Sequence, residues 1–351
     1  MHPCTSEFPL STDVCGALHA YIYIRLSPAC HSEILERFEA SSSRWSDYSG
    51  EAEQYLRLPL YIRNPEYSDI ETQVNKLIED LKCESIDVQR VATSELRFLA
   101  KNAENRVVIA NCGAVSPLIS MLHSTDLKIQ ENAVTALLNL SINDDIKVAI
   151  ANANVIEPLI HVLEIGNADA KENSAATLFN LSVIKEVMVK IGCSGAIKPL
   201  VELLRNGSPR GKKDAIRALL NLSLFHENKA RIVQAGAVKP LVELMDAAKG
   251  MVDKAVAILA NLATLREAQL AIGHEGGIPV LVEVIELGSA REKEYAAAVL
   301  LRLCTSSKRF YRQVLKEGAV PPLAALSQSG TPRAKEKAQS LLCYFRNGRR
   351  E

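Results

Sequence analysis

Aromatic residues are scarce in this chain: Phe, Trp and Tyr together make up 5% of 351 positions, with a single Trp. Leu, Ala, Val and Ile fill the apolar positions instead, which suits helices packed through small and branched side chains better than a sheet built on aromatic pairs. Net charge is missing too, with 41 Lys+Arg against 41 Asp+Glu. That excludes the bulk electrostatic footprint of a dedicated nucleic-acid binder and makes any basic surface a local one. None of the eight cysteines (Cys4, Cys15, Cys30, Cys83, Cys112, Cys193, Cys304, Cys343) belongs to a Cys-x-x-Cys pair, so neither a zinc finger nor a dense disulfide framework is signalled. Several occupy slots filled elsewhere by Ala, Ser or Leu and read as reduced, buried thiols. Long hydrophobic runs are also lacking. Val14 to Leu26 is the one candidate targeting segment, but it follows Glu7 and Asp13, is broken by Arg25, and falls short of the ~20 apolar residues that span a bilayer. A soluble protein of the cytoplasm and/or nucleus, without membrane insertion, is expected. The histidines are scattered, and no Gly-rich phosphate loop, His-Glu-x-x-His or nucleophile elbow is present, so no catalytic residue, metal or cofactor is expected.

What the chain has in abundance is repetition. The run Glu131-Asn132-Ala133-Val134-Thr135-Ala136-Leu137-Leu138-Asn139-Leu140-Ser141 returns as Glu172-Asn173-Ser174-Ala175-Ala176-Thr177-Leu178-Phe179-Asn180-Leu181-Ser182. With the Asn as a ruler, the slot recurs at Phe98, Asn139, Asn180, Asn221, Asn261, Arg302 and Tyr344, in steps of 41, 41, 41, 40, 41 and 42 residues. A period near 40 implies stacked units sharing one continuous core. A single elongated domain therefore replaces the several domains that length alone would give, and function is expected on its surface.

Thirteen residues before each ruler position stand Ser85, Asp126, Asn167, Ser208, Ala248, Ser289 and Thr331. All but Ala248 are N-cap residues, whose side-chain oxygens satisfy the unpaired amides of a first helical turn. Pro209 and Pro332 follow at the first helical position, and Ser289 with Glu292 spells a capping box. Inside the long helix so defined, three columns fall on one stripe and predict the core. Two residues before the ruler are Leu96, Leu137, Leu178, Leu219, Leu259, Leu300 and Leu342; one after it are Leu99, Leu140, Leu181, Leu222, Leu262, Leu303 and Phe345; six before it are Ala92, Ala133, Ser174, Ala215, Ala255, Ala296 and Ala338. Between long helices, Gly-Ala-Val/Ile-x-Pro-Leu segments beginning at Gly113, Gly195, Gly236 and Gly318 mark a sharp turn and the start of a second helix, each after a short apolar segment. Three helices per repeat, one of them short, predict an all-α armadillo-repeat solenoid, a right-handed superhelix of about seven ~41-residue units over residues 68–351. Its first unit is truncated, with Ser68-Asp69-Ile70-Glu71 read as a capping box opening the first helix. Residues 1–67 show no repeat and read as a flexible N-terminal arm.

At about 100° per residue the ruler lies nearly opposite the core stripe, so Asn139, Asn180, Asn221 and Asn261 are expected to look outward along a concave groove. A side-chain amide offers an acceptor and two donor hydrogens, enough to pair with both C=O and N–H of an extended peptide. Each bond contributes only about 0.5–1.5 kcal/mol net, so several must act in register. With repeats ~8–10 Å apart, four rungs span roughly 30 Å, about nine extended residues. The alternative use of each Asn is a hydrogen bond that sets repeat stacking, and the two uses are compatible. Positions four, seven and eleven residues before the ruler share this face. They hold Asn132 and Asn173 in the early repeats and then Arg210, Arg217, Lys254, Arg291, Tyr295, Arg333 and Lys337, joined by Arg302 and Tyr344 at the ruler itself and relieved by Asp214. Arg210, Arg291 and Arg333 sit in first helical turns, where the macrodipole disfavours cations. The expected reason is an acidic or phosphorylated partner gripped bidentately; the alternative is a solvated polar face.

The Gly-Ala-Val-x-Pro-Leu turns and Asn-Leu-Ser helix ends, with Gln130 to Ile142, Pro158 to Glu164, Gly250 to Ala255 and Gly330 to Ala334, resemble the C-terminal region of plant U-box/armadillo ubiquitin ligases. The resemblance implies a noncatalytic module that recruits a substrate or receptor tail, with the ubiquitin-conjugation machinery involved only indirectly. It implies ligase activity only when a U-box is present, and residues 1 to 67 hold no comparable Cys-Pro-Ile-type opening. Two rival resemblances remain. Importin-alpha-like transport receptors pair each ladder Asn with a Trp one turn earlier, where this chain has Thr135, Ala176, Arg217 and Ala257. Catenin-like scaffolds take acidic peptides in a basic groove. All three imply a protein partner.

Overall fold

The computed structural model describes residues 65–348, so the flexible arm expected upstream lies, but for its last residues, outside the described part. Among the described residues there is no strand. The chain opens with α1 (Pro65–Lys82) and α2 (Ile86–Leu99) and then runs through triplets. These are α3 (Ala103–Asn111), α4 (Val115–Met121) and α5 (Leu127–Leu140); α6 (Asp144–Asn152), α7 (Ile156–Ile165) and α8 (Ala168–Leu181); α9 (Lys185–Cys193), α10 (Ile197–Asn206) and α11 (Pro209–Ser223). There follow α12 (His226–Gln234), α13 (Val238–Glu243) and α14 (Val252–Leu262); α15 (Arg266–His274), α16 (Gly277–Leu287) and α17 (Ala290–Ser306); and α18 (Lys308–Lys316), α19 (Val320–Ser329) and α20 (Pro332–Gly348). Each triplet closes on a long helix that packs on the long helix before it and, in all but the last triplet, on the one after it.

The caps form where the sequence places them. Asp126, Asn167, Ser208, Ser289 and Thr331 each accept a hydrogen bond from a first-turn amide, and Ser289 completes its capping box with Glu292. Ser85 has the extended backbone of a cap but makes no side-chain bond. Ala248 cannot cap at all, and there the long helix starts late. A 3-10 turn (Ala247–Lys249) and Gly250 at φ 63° precede α14, whose 11 residues compare with 14 in α5 and α8. The expected box at Ser68–Glu71 is not a helix start, because α1 begins at Pro65 and Ser68 lies inside its first turn.

Turn glycines Gly113, Gly195, Gly236, Gly276 and Gly318 hold φ between 75° and 91°, where a Cβ would be strained. The equivalent slot of the third repeat is Asn154 at φ 57°, a turn without the Gly motif. Asn substitutes because its short amide can bond locally in this conformation.

The predicted stripe is the core: Leu96, Leu137, Leu178, Leu219, Leu259 and Leu300 are fully enclosed, as are Ala133, Ser174, Ala215, Ala255, Ala296 and Ala338. Leu342 is the exception. It is half-buried, while Leu341 is enclosed, because no further described helix covers that side of α20.

Cap side chains also tie neighbouring repeats together. Asp126 receives Arg90 at 2.6 Å, Asn167 Nδ2 donates to Glu131 Oε2 at 3.1 Å, Ser208 donates to Glu172, and Thr331 donates to Glu294 Oε2 at 2.6 Å. Arg90, Glu131, Glu172 and Glu294 all stand five residues after the cap of their own helix, so α2, α5, α8 and α17 each grip the cap of the next long helix. Burial pushes the Glu131 carboxyl up, but bonds from Lys128, Asn167 and Arg97 outweigh it and hold the group below the usual carboxylate range. Between α11 and α14 the corresponding positions are Lys213 and Ala248, and no such latch forms among the described residues.

Candidate peptide-binding ladder

Asn139, Asn180, Asn221 and Asn261 lie near the C-terminal ends of α5, α8, α11 and α14 and are half-buried. Asn180 Nδ2 donates to Ser141 Oγ, Asn221 Nδ2 to Ser182 Oγ and Asn261 Nδ2 to Ser223 Oγ, each at 2.9 Å. Every one of these serines is enclosed, and its hydroxyl donates at 2.7 Å to the carbonyl three residues earlier, that of Leu138, Phe179 or Leu220. The stacking use of the Asn column is therefore realised, and it takes one N–H per rung. The amide oxygens and remaining hydrogens of these rungs make no hydrogen bond among the described residues, and the oxygens are not enclosed, so they can serve a ligand.

The serines also account for where the ladder ends. Two residues past the ruler the column reads Ala100, Ser141, Ser182, Ser223, Ala263 and Cys304. Asn139 faces a repeat without the hydroxyl and reaches only the Arg97 carbonyl, at 3.5 Å, a weak contact. Beyond Ala263 and Cys304 the ruler changes to Arg302 and Tyr344. The Cys304 thiol, pushed up to about 12 by burial, is an inert core group. The signal for this pairing was present in the repeated Asn-Leu-Ser triplet, but it joins the Ser of one repeat to the Asn of the next.

Asn132 and Asn173, expected on the open face, are enclosed at 1% and 3% exposure. Arg97 donates to Asn132 Oδ1 at 2.9 Å, leaving Asn132 Nδ2 buried without a partner. Asn173 donates to Thr135 Oγ1 at 2.8 Å and accepts from Arg210 at 2.8 Å. Both are bridges between repeats, because arginines of the adjacent long helices fold over them.

The first-turn arginines likewise have intramolecular partners. Glu172 lies 3.7 Å from Arg210, and Glu294 lies 3.8 Å from Arg333. Carboxylates of the preceding repeat thus offset the macrodipole cost that was expected to need an external anion. Arg291 sits 5.9 Å over the Tyr295 ring. Arg217 lies 5.7 Å over Phe179 and 3.5 Å from Asp214, whose carboxyl is raised by burial. Lys254 and Lys337 pair with adjacent Asp253 and Glu336, and Tyr344 packs edge-on against Tyr311 at 5.6 Å. Arg302 is exposed and makes no ion pair among the described residues.

Among the described residues no cluster of three or more His, Cys, Asp or Glu could hold a metal, and no single helix is long and apolar enough to cross a membrane. The chain is 72% identical over 283 residues to U-box domain-containing protein 4 and 67% identical over 281 residues to U-box domain-containing protein 2, both from Arabidopsis thaliana. These alignments cover 80% of this chain but 34% and 40% of those proteins, so the chain spans well under half of either relative. A designed armadillo repeat protein in complex with peptide (KR)4 superposes with TM-score 0.55 at 23% identity, over 66% of this chain and 99% of that one. A chain from a structure concerning the cadherin and beta-catenin interaction and its phosphorylation switch gives TM-score 0.70 at 21% identity, over 79% of this chain and 53% of that one. At these identities the likeness is one of fold. The model of the plant U-box protein ARM repeat region matches residues 73–350, and with the stacked three-helix units this places the chain in that family, as an armadillo-repeat solenoid.

Proposed function

We propose that this solenoid is a noncatalytic docking module that binds an extended segment of a protein partner along the Asn139–Asn261 face. Through that contact it supplies substrate or receptor recognition in plant U-box ubiquitin signalling, in the cytoplasm and/or nucleus. The observation that carries the reading is the shared use of each amide. One N–H of Asn180, Asn221 and Asn261 is fixed on a buried serine, so the rotamer is set before a ligand arrives and the remaining oxygen and hydrogen stand in register. Preorganisation of that kind lowers the ordering cost of binding. A designed armadillo repeat protein of the same fold is solved in complex with a peptide, (KR)4, which supports a peptide occupant. The preference for an acidic or phosphorylated segment is supported by exposed Arg302 and by Arg217 on the ladder face, which disfavour a basic one. Ubiquitin transfer itself is assigned to a U-box, which the named relatives carry by name.

An affinity pull-down with the wild type beside an Asn180→Ala/Asn221→Ala variant tests the reading, with a Ser141→Ala/Ser182→Ala variant as control for lost stacking bonds. At least one partner should be lost in the first variant and kept, with weakened affinity, in the second, which retains the amides but loses the serines that preorganise them. Retention of every partner by a folded Asn variant would reduce the ladder to a stacking device. Robust ubiquitin-chain formation by this chain without another ligase would overturn the noncatalytic assignment.

A further inference from the structure

Lys229 of α12 has equivalents in the other short helices: Arg106, Lys147, Met188, Gln269 and Tyr311. Arg106, Lys147 and Gln269 are satisfied within the fold, and Tyr311 makes a longer contact to a carbonyl. Arg106 donates to the Ala100 and Lys101 carbonyls at 2.8 and 2.9 Å, Lys147 pairs with Asp144 at 2.6 Å, Gln269 donates to the Ala263 carbonyl at 2.8 Å, and Tyr311 reaches the Phe345 carbonyl at 3.4 Å. Lys229 is half-buried and touches only Thr264 Oγ1, at the long distance of 3.5 Å. That hydroxyl donates its own proton to the Asn261 carbonyl at 3.0 Å, which ties the group to the last rung of the ladder.

Arg302, in the next ruler slot, is exposed, and neither it nor Lys229 makes an ion pair among the described residues. In the register that sets Asn180, Asn221 and Asn261 on the residue two past the preceding ruler, Arg302 takes the slot against Ala263, next to the Thr264 that Lys229 touches; burial and then the positive charge of Arg302 push the Lys229 ammonium below its usual range. Elsewhere on this face Arg210, Arg217, Lys254, Arg333 and Lys337 each have a carboxylate. Two neighbouring cations without one are mutually repulsive, and an oxyanion between them relieves both, through the fork of Arg and the point charge of Lys.

We propose that Lys229, positioned by Thr264, and Arg302 form an oxyanion subsite at the C-terminal end of the ladder, taking a carboxylate or phosphoryl group of the bound segment. The identity of the occupant rests on the groove reading above; the site itself is testable without it. Side-chain NMR of the whole chain, titrated at constant ionic strength with inorganic phosphate and separately with acetate, reads Lys229 Nζ and Arg302 Nε directly. Saturable shifts at both are expected. Lys229→Met and Arg302→Gln should each weaken phosphate binding about tenfold, the loss of one charged hydrogen-bond partner, and Lys229→Arg should restore it. A tighter response to phosphate than to acetate assigns a phosphoryl group, and the reverse a carboxylate. No saturable shift, or equal shifts at Lys213 and Arg333, would overturn the subsite. If phosphate binds here while the Asn180→Ala/Asn221→Ala variant keeps every partner, the subsite stands and the ladder reading fails. If partners depend on the ladder but phosphate does not bind, the subsite alone fails.

Discussion

Ser182 shows how one hydroxyl serves two repeats: it donates to the Phe179 carbonyl and accepts from Asn221. Ser182→Ala leaves a buried carbonyl and an Asn rung without that partner, and should destabilise by about 1–2 kcal/mol, measured as a lower urea midpoint with unchanged m. Glu131 gives a pH signature. Its folded carboxyl is held below the usual range, so its contribution is complete above the unfolded value near pH 4.3 and is lost as pH falls through the lower folded value. The stability gap between wild type and Glu131→Gln should therefore close on acidification below about pH 4. A gap that stays constant across that window would mean the carboxylate bonds contribute nothing. Such residues were visible in the sequence as letters in a repeat. Their partners were not, because each bond joins positions 36 to 39 residues apart.

At the scale of the element, caps were legible because their chemistry is local: an Asp, Ser or Thr followed by free amides is capped in any context. Asn167 combines that role with the latch to Glu131. Asn167→Ala should thus cost about 2 kcal/mol or more, above the ~1 kcal/mol of an ordinary cap, while Ser85→Ala, at a cap with no side-chain bond, should be close to neutral in the same denaturation series. The turn at Asn154 was not legible from the Gly motif, yet its φ of 57° belongs to the same column. Asn154→Gly should be neutral to mildly stabilising. Asn154→Val should cost about 1–2 kcal/mol, since a β-branched residue resists the left-handed region.

For the solenoid as a whole, stability is a sum over repeats and their nearest-neighbour junctions. The junction between α11 and α14 lacks the cap latch, and α14 lacks its first turn. Native-state amide exchange should therefore be fastest, among the inner repeats, over residues 246–252 and the start of α14, and slower in the first turns of α5 and α8. Uniform protection across the repeats would show that the latches carry little of the coupling.

The sequence by itself determined the period, the three-helix unit, the Leu/Ala core stripe and the slots of the Asn ladder. Each of these follows from helical spacing and local turn chemistry that repeats without reference to neighbours. Only the tertiary structure decided that Asn132 and Asn173 are enclosed, that Arg210 and Arg333 are answered by Glu172 and Glu294, and that Asn180, Asn221 and Asn261 each hang from the preceding repeat's serine. Those outcomes depend on which long helix lies beside which and in what register. A helical wheel fixes the direction a side chain leaves its own helix, and says nothing of what the next repeat brings to meet it.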